Sequence, residues 1–478
     1  MSKTRLTADI CVIGAGSGGL SVAAAAAAFG VPVVLIEQGK MGGDCLNTGC
    51  VPSKALIAAA KHVKCIADAP RFGITAGPPE IDFAAVHAHV HRVIESIAPT
   101  DSAARFAGLG VRVLKGHGRF VDAETVTVDD DVSVKARRFV IATGSAPVIP
   151  PIPGLAAAPH LTNETIFDLS ECPQHVLVIG GGAIGLELAQ AFCRLGAAIT
   201  VVEAATPLGR SDPEAVETVL AALRREGVVI RAGETVKAVQ PSAAPGGDLA
   251  LVIDTAQGEE RIAGSHVLIA VGRSPNVRDL GLEQAGIAVS PQGVRVDRGL
   301  RTTNRRVYAI GDAAGGQFTH VANYHAGLVI RNALFRLPVR VDEDALPAVT
   351  FTDPELAQVG LTESEAKRRG LPINVLRWPY LENDRARAEG QTKGHIKLVT
   401  TKRGRLLGAT IVGSHAGELL ATYSLAVGRK LSVSALAGMT VAYPTMAEIG
   451  KRAAISFYGS SLTNAAVRRM IAWLRCLG

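Results

Sequence analysis

Two cysteines, Cys45 and Cys50, stand five residues apart in MGGDCLNTGCVPSK, directly ahead of Pro52 and a predicted helix start at Ser53 and Lys54. A helix N-terminus and a lysine beside a thiol both favour its thiolate, the nucleophilic form. The spacing matches neither a C-x-x-C redox loop nor a zinc ligand set. A second chemistry is written twice. ADICVIGAGSGGLSVAAAAAAFGVPVVLIE and QHVLVIGGGAIGLELAQAFCRLGAAITVVE share one layout: a β-branched run, G-x-G-x-x-G, a helical stretch, and a second β-branched run ending in Glu. The separation from first glycine to acid is the same in both, Gly14 to Glu37 and Gly180 to Glu203.

Each copy meets the context that the glycine pattern needs, strand before, helix after and acid at the end of the next strand. The first glycine (Gly14, Gly180) permits the tight turn, and the second (Gly16, Gly182) lets the backbone approach a pyrophosphate. The third (Gly19, Gly185) lets helix and strand pack closely. The helix N-terminus offers free N–H groups to phosphate, and Glu37 and Glu203 are expected to accept hydrogen bonds from adenosine ribose hydroxyls. A carboxylate at Glu203 repels a 2′-phosphate, which favours NADH over NADPH; Arg210 nearby is the residue that could accommodate the phosphate.

The elements that must carry these residues form an α/β chain. At 478 residues, with 48% hydrophobic, 19% charged and 4% aromatic side chains, the chain is expected to form about three units. The net charge of +7 is dispersed, without the basic blocks and interleaved aromatics of a nucleic-acid surface. Ile10 to Ile36 lacks charge, but its clustered glycines and Pro32 divide it into strand, loop, helix and strand, so no integral membrane segment is expected. Seven scattered cysteines do not form a secreted disulfide scaffold, and a reducing cytoplasmic setting is expected.

APVIPPIPGL, around Pro147 to Pro153, reads as a linker, PSAAPGGD (Pro241 to Asp248) as a hairpin loop, and VGRSPN as the way back out of the second unit. The division expected is residues 1–150 and 277–345 for one dinucleotide-binding domain, 151–276 for the other, and 346–478 for an α+β interface domain with strands such as HIKLVT and LLGATIVG. His87 and His91 share a helical face, which is either a solvated surface or a metal site; no metal is expected. His320 and His325 are expected to face the catalytic cavity. Cys11 and Cys193 read as small buried hydrophobes. The C-terminal VRRMIAWLRCLG has the pattern of an amphipathic helix, either an ordinary terminal helix or one lying on a membrane or partner.

Together the two fingerprints, the cysteine motif, VIATGSAP, VGRSPN, YAIGDAAGG and a C-terminal Pro-Thr-x-x-Glu resemble the class I pyridine nucleotide-disulfide oxidoreductases, over nearly the whole chain. That family includes dihydrolipoamide dehydrogenase, glutathione reductase and mercuric reductase. The resemblance implies two Rossmann-like domains, for FAD and for NAD(P), a C-terminal dimerisation domain, and a homodimer with an active site shared across the interface. It implies a redox-active disulfide between Cys45, the interchange thiol, and Cys50, the thiol beside the flavin ring. Lys54 would lie near flavin N5 with Glu187 as its partner. Asp312 would bind the flavin's sugar-phosphate chain and Thr319 would lie near its pyrimidine edge. Gly118, Thr143 and Gly144 would turn around the adenosine. Gly43, Gly311, Gly272 and Arg273 complete the cofactor-binding set.

The chain departs from the thiol-using members at one position. Tyr443 precedes Pro444, Thr445 and Glu448 where those members carry an acid-base histidine. An ordinary tyrosine ionises near pH 10 and is a poor base at neutral pH. Mercuric reductases are similar in carrying Tyr here, but they end in a vicinal cysteine pair, whereas this tail has Cys476 alone. The leading expectation is electron transfer between NADH and a disulfide or dithiol substrate. The alternatives are a metal-ion reductase of the mercuric type and a non-catalytic flavin redox sensor.

Overall fold

The computed structural model describes residues 4–129, 131–241, 248–459 and 464–477. By contact they cluster into two compact units. The first comprises residues 1–180, 191–202 and 234–341, and the second residues 181–190, 203–233 and 342–478. Most of the hairpin loop expected at Pro241–Asp248 lies outside the described residues. The strands that flank it, Thr235–Pro241 and Leu249–Thr255, pair antiparallel.

The first unit is built around strand Thr4–Ile13, which pairs in parallel with Val33–Glu37 on one side and Val132–Ile141 on the other. Arg112–Lys115 extends one edge in parallel, Val307–Ala309 pairs in parallel with the last residues of Val132–Ile141, and the first part of that strand pairs antiparallel with Thr125–Val128. A strand covered on both faces must be apolar on both. Accordingly Ile10 and Val12 enter one core with Leu20, Val22 and Val329, while Cys11 and Ile13 enter another with Phe120 and Phe139. Helix Ser17–Ala28, nearly all small residues, packs on helix Thr319–Ala333. The second fingerprint also runs along a parallel strand. His175–Ile179 pairs with Ala198–Glu203 and with His266–Ile269. Short antiparallel strands Ser145–Pro147 and Arg273–Pro275 strap the outgoing and returning chain together.

The second unit carries a five-stranded antiparallel sheet in the order Pro347–Thr350, Glu355–Gly360, Leu406–Gly413, His395–Thr401, Ile373–Pro379. Ile396 and Leu398 face a core with Leu420, Tyr423 and Ile449. By the two-residue period of a strand, Lys397 faces the opposite side. That side is also covered. Lys397 is 3% exposed and donates to Asp212 Oδ1 and Oδ2 at 2.7 and 2.9 Å, and its Nζ lies 2.7 Å from Glu214. Asp212 also caps helix Pro213–Arg225, and Arg377 bridges Glu214 and Glu363. This ion cluster explains why Glu203–Gly233 groups with the C-terminal sheet. The chain is thus of α/β class with Rossmann-like dinucleotide folds and a C-terminal α+β domain.

Removing one partner of a buried ion pair strands the other charge. Lys397→Met is expected to cost about 3–5 kcal/mol in urea unfolding. Lys367→Met, which removes an exposed i,i+4 partner of Glu363, is expected to cost under about 1 kcal/mol. Burial raises the Glu214 carboxyl pKa, but hydrogen bonds from Lys397 and Arg377 outweigh that and hold it down to about 2. A carboxylate depressed in the fold stabilises above its unfolded pKa and loses that contribution as pH falls through the folded one. Stability of this unit is therefore expected to decline between about pH 4.5 and about pH 2, and to do so less in Glu214→Gln.

Candidate active site

The first fingerprint has the steric demands that its spacing predicts. Gly14 sits at φ +104°, and a Cβ there would lie 2.4 Å from the Ala142 carbonyl oxygen; one on Gly19 would lie 1.9 Å from Gly14 O. No side chain caps the N-terminus of helix Ser17–Ala28, and its first turn holds no acid. Glu37 fixes the loop by accepting the Ala15 and Gly39 N–H groups at 2.6 and 2.5 Å. The second fingerprint repeats this. Gly180 has φ +110°, with a Cβ position 2.5 Å from Ala270 O. Within the second unit, Glu203 accepts the Gly181 and Ala205 N–H groups at 2.7 and 2.8 Å. A Cβ on Gly182 would meet nothing within 4 Å, and Gly185 lies in helix Ala183–Arg194.

Gly14, Gly16, Glu37, Gly43, Gly118, Thr143 and Gly144 all line one cleft of about 460 Å³ in the first unit. These groups fit the adenosine and pyrophosphate half of FAD: bare backbone, a helix N-terminus for phosphate, and an acid with acceptor capacity left for a ribose.

The thiol loop lies beside this cleft. Cys45 is in the short helix Gly43–Asn47, and Cys50 is the first residue of helix Cys50–Asp68. The helix thus starts three residues before the position expected from Pro52. Proline is tolerated in a first turn because the N–H it lacks would have no partner there. Leu46 is buried, Asn47 donates to the Met41 and Gly43 carbonyls at 3.0 and 2.7 Å, and Thr48 donates to Asp44 at 2.6 Å, so both thiols are held by a braced turn.

Both are free thiols. A hydrogen bond from the Cys45 thiol is the largest influence on Cys50. Together with the Thr319 hydroxyl, 3.5 Å from its sulfur, and the Lys54 charge, it brings the Cys50 pKa down to about 6 against the opposing effect of burial. Cys45 is pushed up by the same hydrogen bond and by burial. At neutral pH Cys50 is therefore the thiol of the pair that favours the thiolate, while Cys45 keeps its proton. The lysine expected to create the thiolate ranks behind two hydrogen bonds. Lys54 Nζ itself is 3.4 Å from Ser53 Oγ. Glu187 belongs to the second unit, where it is 6% exposed and accepts the Phe351 N–H at 2.9 Å.

Arg273 joins the thiol loop to the Gly311–Asp312 turn. Its guanidinium donates to Ser145 Oγ (2.8 Å), Ser145 O (2.7 Å) and Asn163 Oδ1 (3.0 Å) and lies 3.3 Å from Asp44. Ser145 in turn donates to Asp312 at 2.5 Å, and Asn163 donates to Asp44 and to the Thr48 carbonyl at 3.1 and 3.2 Å. Burial raises the Asp312 pKa, opposed by Ser145 and Arg273. Gly272, at φ +133°, receives the Val148 N–H on its carbonyl. His325 does not face an open cavity as expected. It is 4% exposed beneath the turn, with Nδ1 accepting the Gly311 N–H at 3.2 Å and burial lowering its pKa. His320 is exposed and stacked on Phe318. Ser145, Asn163, Asp44 and His325 were not singled out for these contacts by sequence reasoning.

In the second unit Tyr443 is 70% exposed and donates to Asp384 Oδ2 at 3.1 Å, a bond that raises its pKa. Glu448 opens helix Glu448–Ser456. Asn383 pins the turn by donating to the Thr445 carbonyl at 3.0 Å. His91 Nε2 is 3.3 Å from the Phe167 carbonyl oxygen, and no group of three metal-ligating side chains occurs among the described residues. No helix among them is long and apolar enough to cross a membrane.

If Thr319 helps to hold the thiolate, Thr319→Val should raise the Cys50 pKa by about one unit, the loss of one charge-assisted hydrogen bond. The pH dependence of alkylation of the reduced protein reads this directly, and an unmoved midpoint would remove Thr319 from the assignment.

Residues 8–326 match the family model described as pyridine nucleotide-disulphide oxidoreductase, and residues 346–454 match the dimerisation domain of the same family. A mercuric reductase of Streptomyces lividans is 37% identical over 461 residues, covering 94% of this chain and 96% of that protein. A dihydrolipoyl dehydrogenase of Bacillus subtilis (strain 168) is 36% identical over 464 residues, covering 95% and 97%. Among solved structures, LpdA from Mycobacterium tuberculosis superposes with a TM-score of 0.85 at 27% identity, over 95% of this chain and 99% of that one. A Cu(II) complex of the HOCl-induced flavoprotein disulfide reductase RclA from Escherichia coli gives 0.83 at 28%, over 93% and 99%. The chain belongs to the pyridine nucleotide-disulphide oxidoreductase family: it is an oxidoreductase with a dimerisation domain, for which FAD and a pyridine nucleotide are the expected cofactors.

Proposed function

We propose that the protein is a homodimeric, cytoplasmic NADH-dependent reductase in which Cys45 and Cys50 carry the electron pair to a substrate that requires little proton transfer. The reading assigns residues 1–150 and 277–345 to FAD, 151–276 to the nicotinamide nucleotide and 346–478 to the dimer interface. FAD, when bound, relays the electron pair between nicotinamide and the thiol pair. The observation that carries the proposal is the placement of that pair, on a braced turn and the first residue of helix Cys50–Asp68 beside the cleft that fits FAD, with the Thr319 hydroxyl 3.5 Å from the Cys50 sulfur.

Toward a disulfide, Cys45 must release its proton and form a bond to one substrate sulfur while the other sulfur leaves as thiolate. Cys50 thiolate then attacks Cys45 Sγ, closing the Cys45–Cys50 disulfide and releasing the second substrate thiolate. The two electrons gained by the substrate are those lost by the pair. Lys54, beside the thiol pair, serves the hydride-transfer end. Asp312, held through Ser145 and Arg273, orients the flavin chain. Glu203 favours NADH, since a carboxylate at the end of the second strand of a dinucleotide fold repels a 2′-phosphate.

Tyr443 directs the choice of substrate. Its hydroxyl is committed as a donor to Asp384 and its pKa is raised, so with Glu448 it can orient a ligand but accepts a thiol proton poorly. An acidic thiol or persulfide, a quinone or a soft metal ion suits that site. A metal-ion reductase is the second reading, supported by the mercuric reductase relatives and by the chemistry of two converging thiols.

Anaerobic NADH is expected to bleach the flavin, with reoxidation by one class among disulfides, quinones and metal ions; absence of bleaching would leave a redox sensor. Tyr443→His is expected to raise turnover with dihydrolipoamide by on the order of a hundredfold, the low end of the range for a positioned general base. An unchanged rate would mean that proton transfer does not limit this site.

A further inference from the structure

The catalytic reading leaves the last helix of the chain unused. Helix Ala465–Leu474 is capped by Asn464, whose side chain accepts the Ala466 and Val467 N–H groups at 2.9 and 3.4 Å, and a 3₁₀ turn, Arg475–Leu477, follows. None of its residues is buried. At about 100° per residue, Val467, Met470, Ile471 and Leu474 fall on one stripe, with Leu477 and Trp473 continuing it along one edge. Met470, Ile471, Trp473, Leu474 and Leu477 are 52%, 49%, 63%, 47% and 67% exposed. Arg468 and Arg475 flank the stripe on one side and Arg469 on the other. Residues 464–477 contain no acidic side chain.

An apolar arc of this size on a soluble surface calls for a cover, and the flanking charges say which. Arg468, Arg469 and Arg475 give the segment a positive charge with no acid beside them, which an anionic surface neutralises. An anionic bilayer satisfies every part of the pattern. Its acyl boundary takes the Met, Ile and Leu side chains, the headgroup level takes the amphipathic indole of Trp473, and lipid phosphates take the three guanidinium groups on their flexible stems. The ten residues of the helix span about 15 Å against a hydrocarbon core of about 30 Å, so the helix can lie in the surface but cannot cross it.

We infer that the C-terminal helix seats the enzyme on the surface of an anionic membrane, with residues 464–477 in the headgroup plane. The inference is independent of the identity of the electron acceptor.

The test uses the full-length, FAD-loaded protein with vesicles of phosphatidylcholine alone or mixed with phosphatidylglycerol. At about fivefold per arginine, co-sedimentation should be tighter on the anionic vesicles by on the order of a hundredfold, and salt should reverse it. Tryptophan emission should shift to shorter wavelength on anionic vesicles, and the shift should be absent from Trp473→Phe. The triple change Arg468→Gln, Arg469→Gln, Arg475→Gln should reduce binding to that seen on phosphatidylcholine while leaving NADH reduction of the flavin unchanged. Equal binding to both vesicles, or none, overturns the proposal. So does a dimer that dissociates in the ultracentrifuge when residues 464–478 are deleted, because the second copy would then be the cover.

Discussion

The Arg273 guanidinium is the contact on which the catalytic face depends. Its planar fork reaches the backbone and side chain of Ser145, the amide of Asn163 and the carboxylate of Asp44. Lysine, a single point charge, could not satisfy that many directions at once. Through these contacts one residue on a returning strand fixes the turn that presents Asp312 and the turn that presents Cys45 and Cys50. The strap of Ser145–Pro147 against Arg273–Pro275 supplies the rigidity. The thiol turn and the Gly311–Asp312 turn are therefore positioned together.

How far the site can be read from sequence follows from the range of its contacts. The fingerprints and the thiol motif were legible because their chemistry is local: the glycines, the helix and the acid lie within one repeat, and repetition certifies the pattern. The Thr319–Cys50 contact and the Arg273 brace join segments far apart in the chain, and no local period announces them. Pro52 reads as an opening signal, yet it sits inside the first turn of a helix that already starts at Cys50. Lys397 is the clearest case. In HIKLVT it alternates with Ile396 and Leu398 and so reads as solvent-facing, yet that side of the sheet is closed by Asp212 and its helix. Alternation identifies two faces but not which of them meets water.

The two thiols of the first unit differ in the proton each favours. Cys50 receives hydrogen bonds from a neighbouring thiol and a hydroxyl, which favour its thiolate, while the same thiol contact and burial favour the protonated form of Cys45. In the second unit the Tyr443 hydroxyl is already a donor to Asp384, which disfavours its ionisation.

The doubled clamp of Glu37 and Glu203 bears on redesign. Engineers who wish to exchange one coenzyme for its phosphorylated counterpart usually begin by neutralising the acid at the end of the second strand. Here that acid is also a staple, holding the amides of Gly181 and Ala205. A substitution that removes its charge alone would loosen the loop it was meant to retune. A successful swap has to provide replacement acceptors for both amides before it adds a cation for the phosphate.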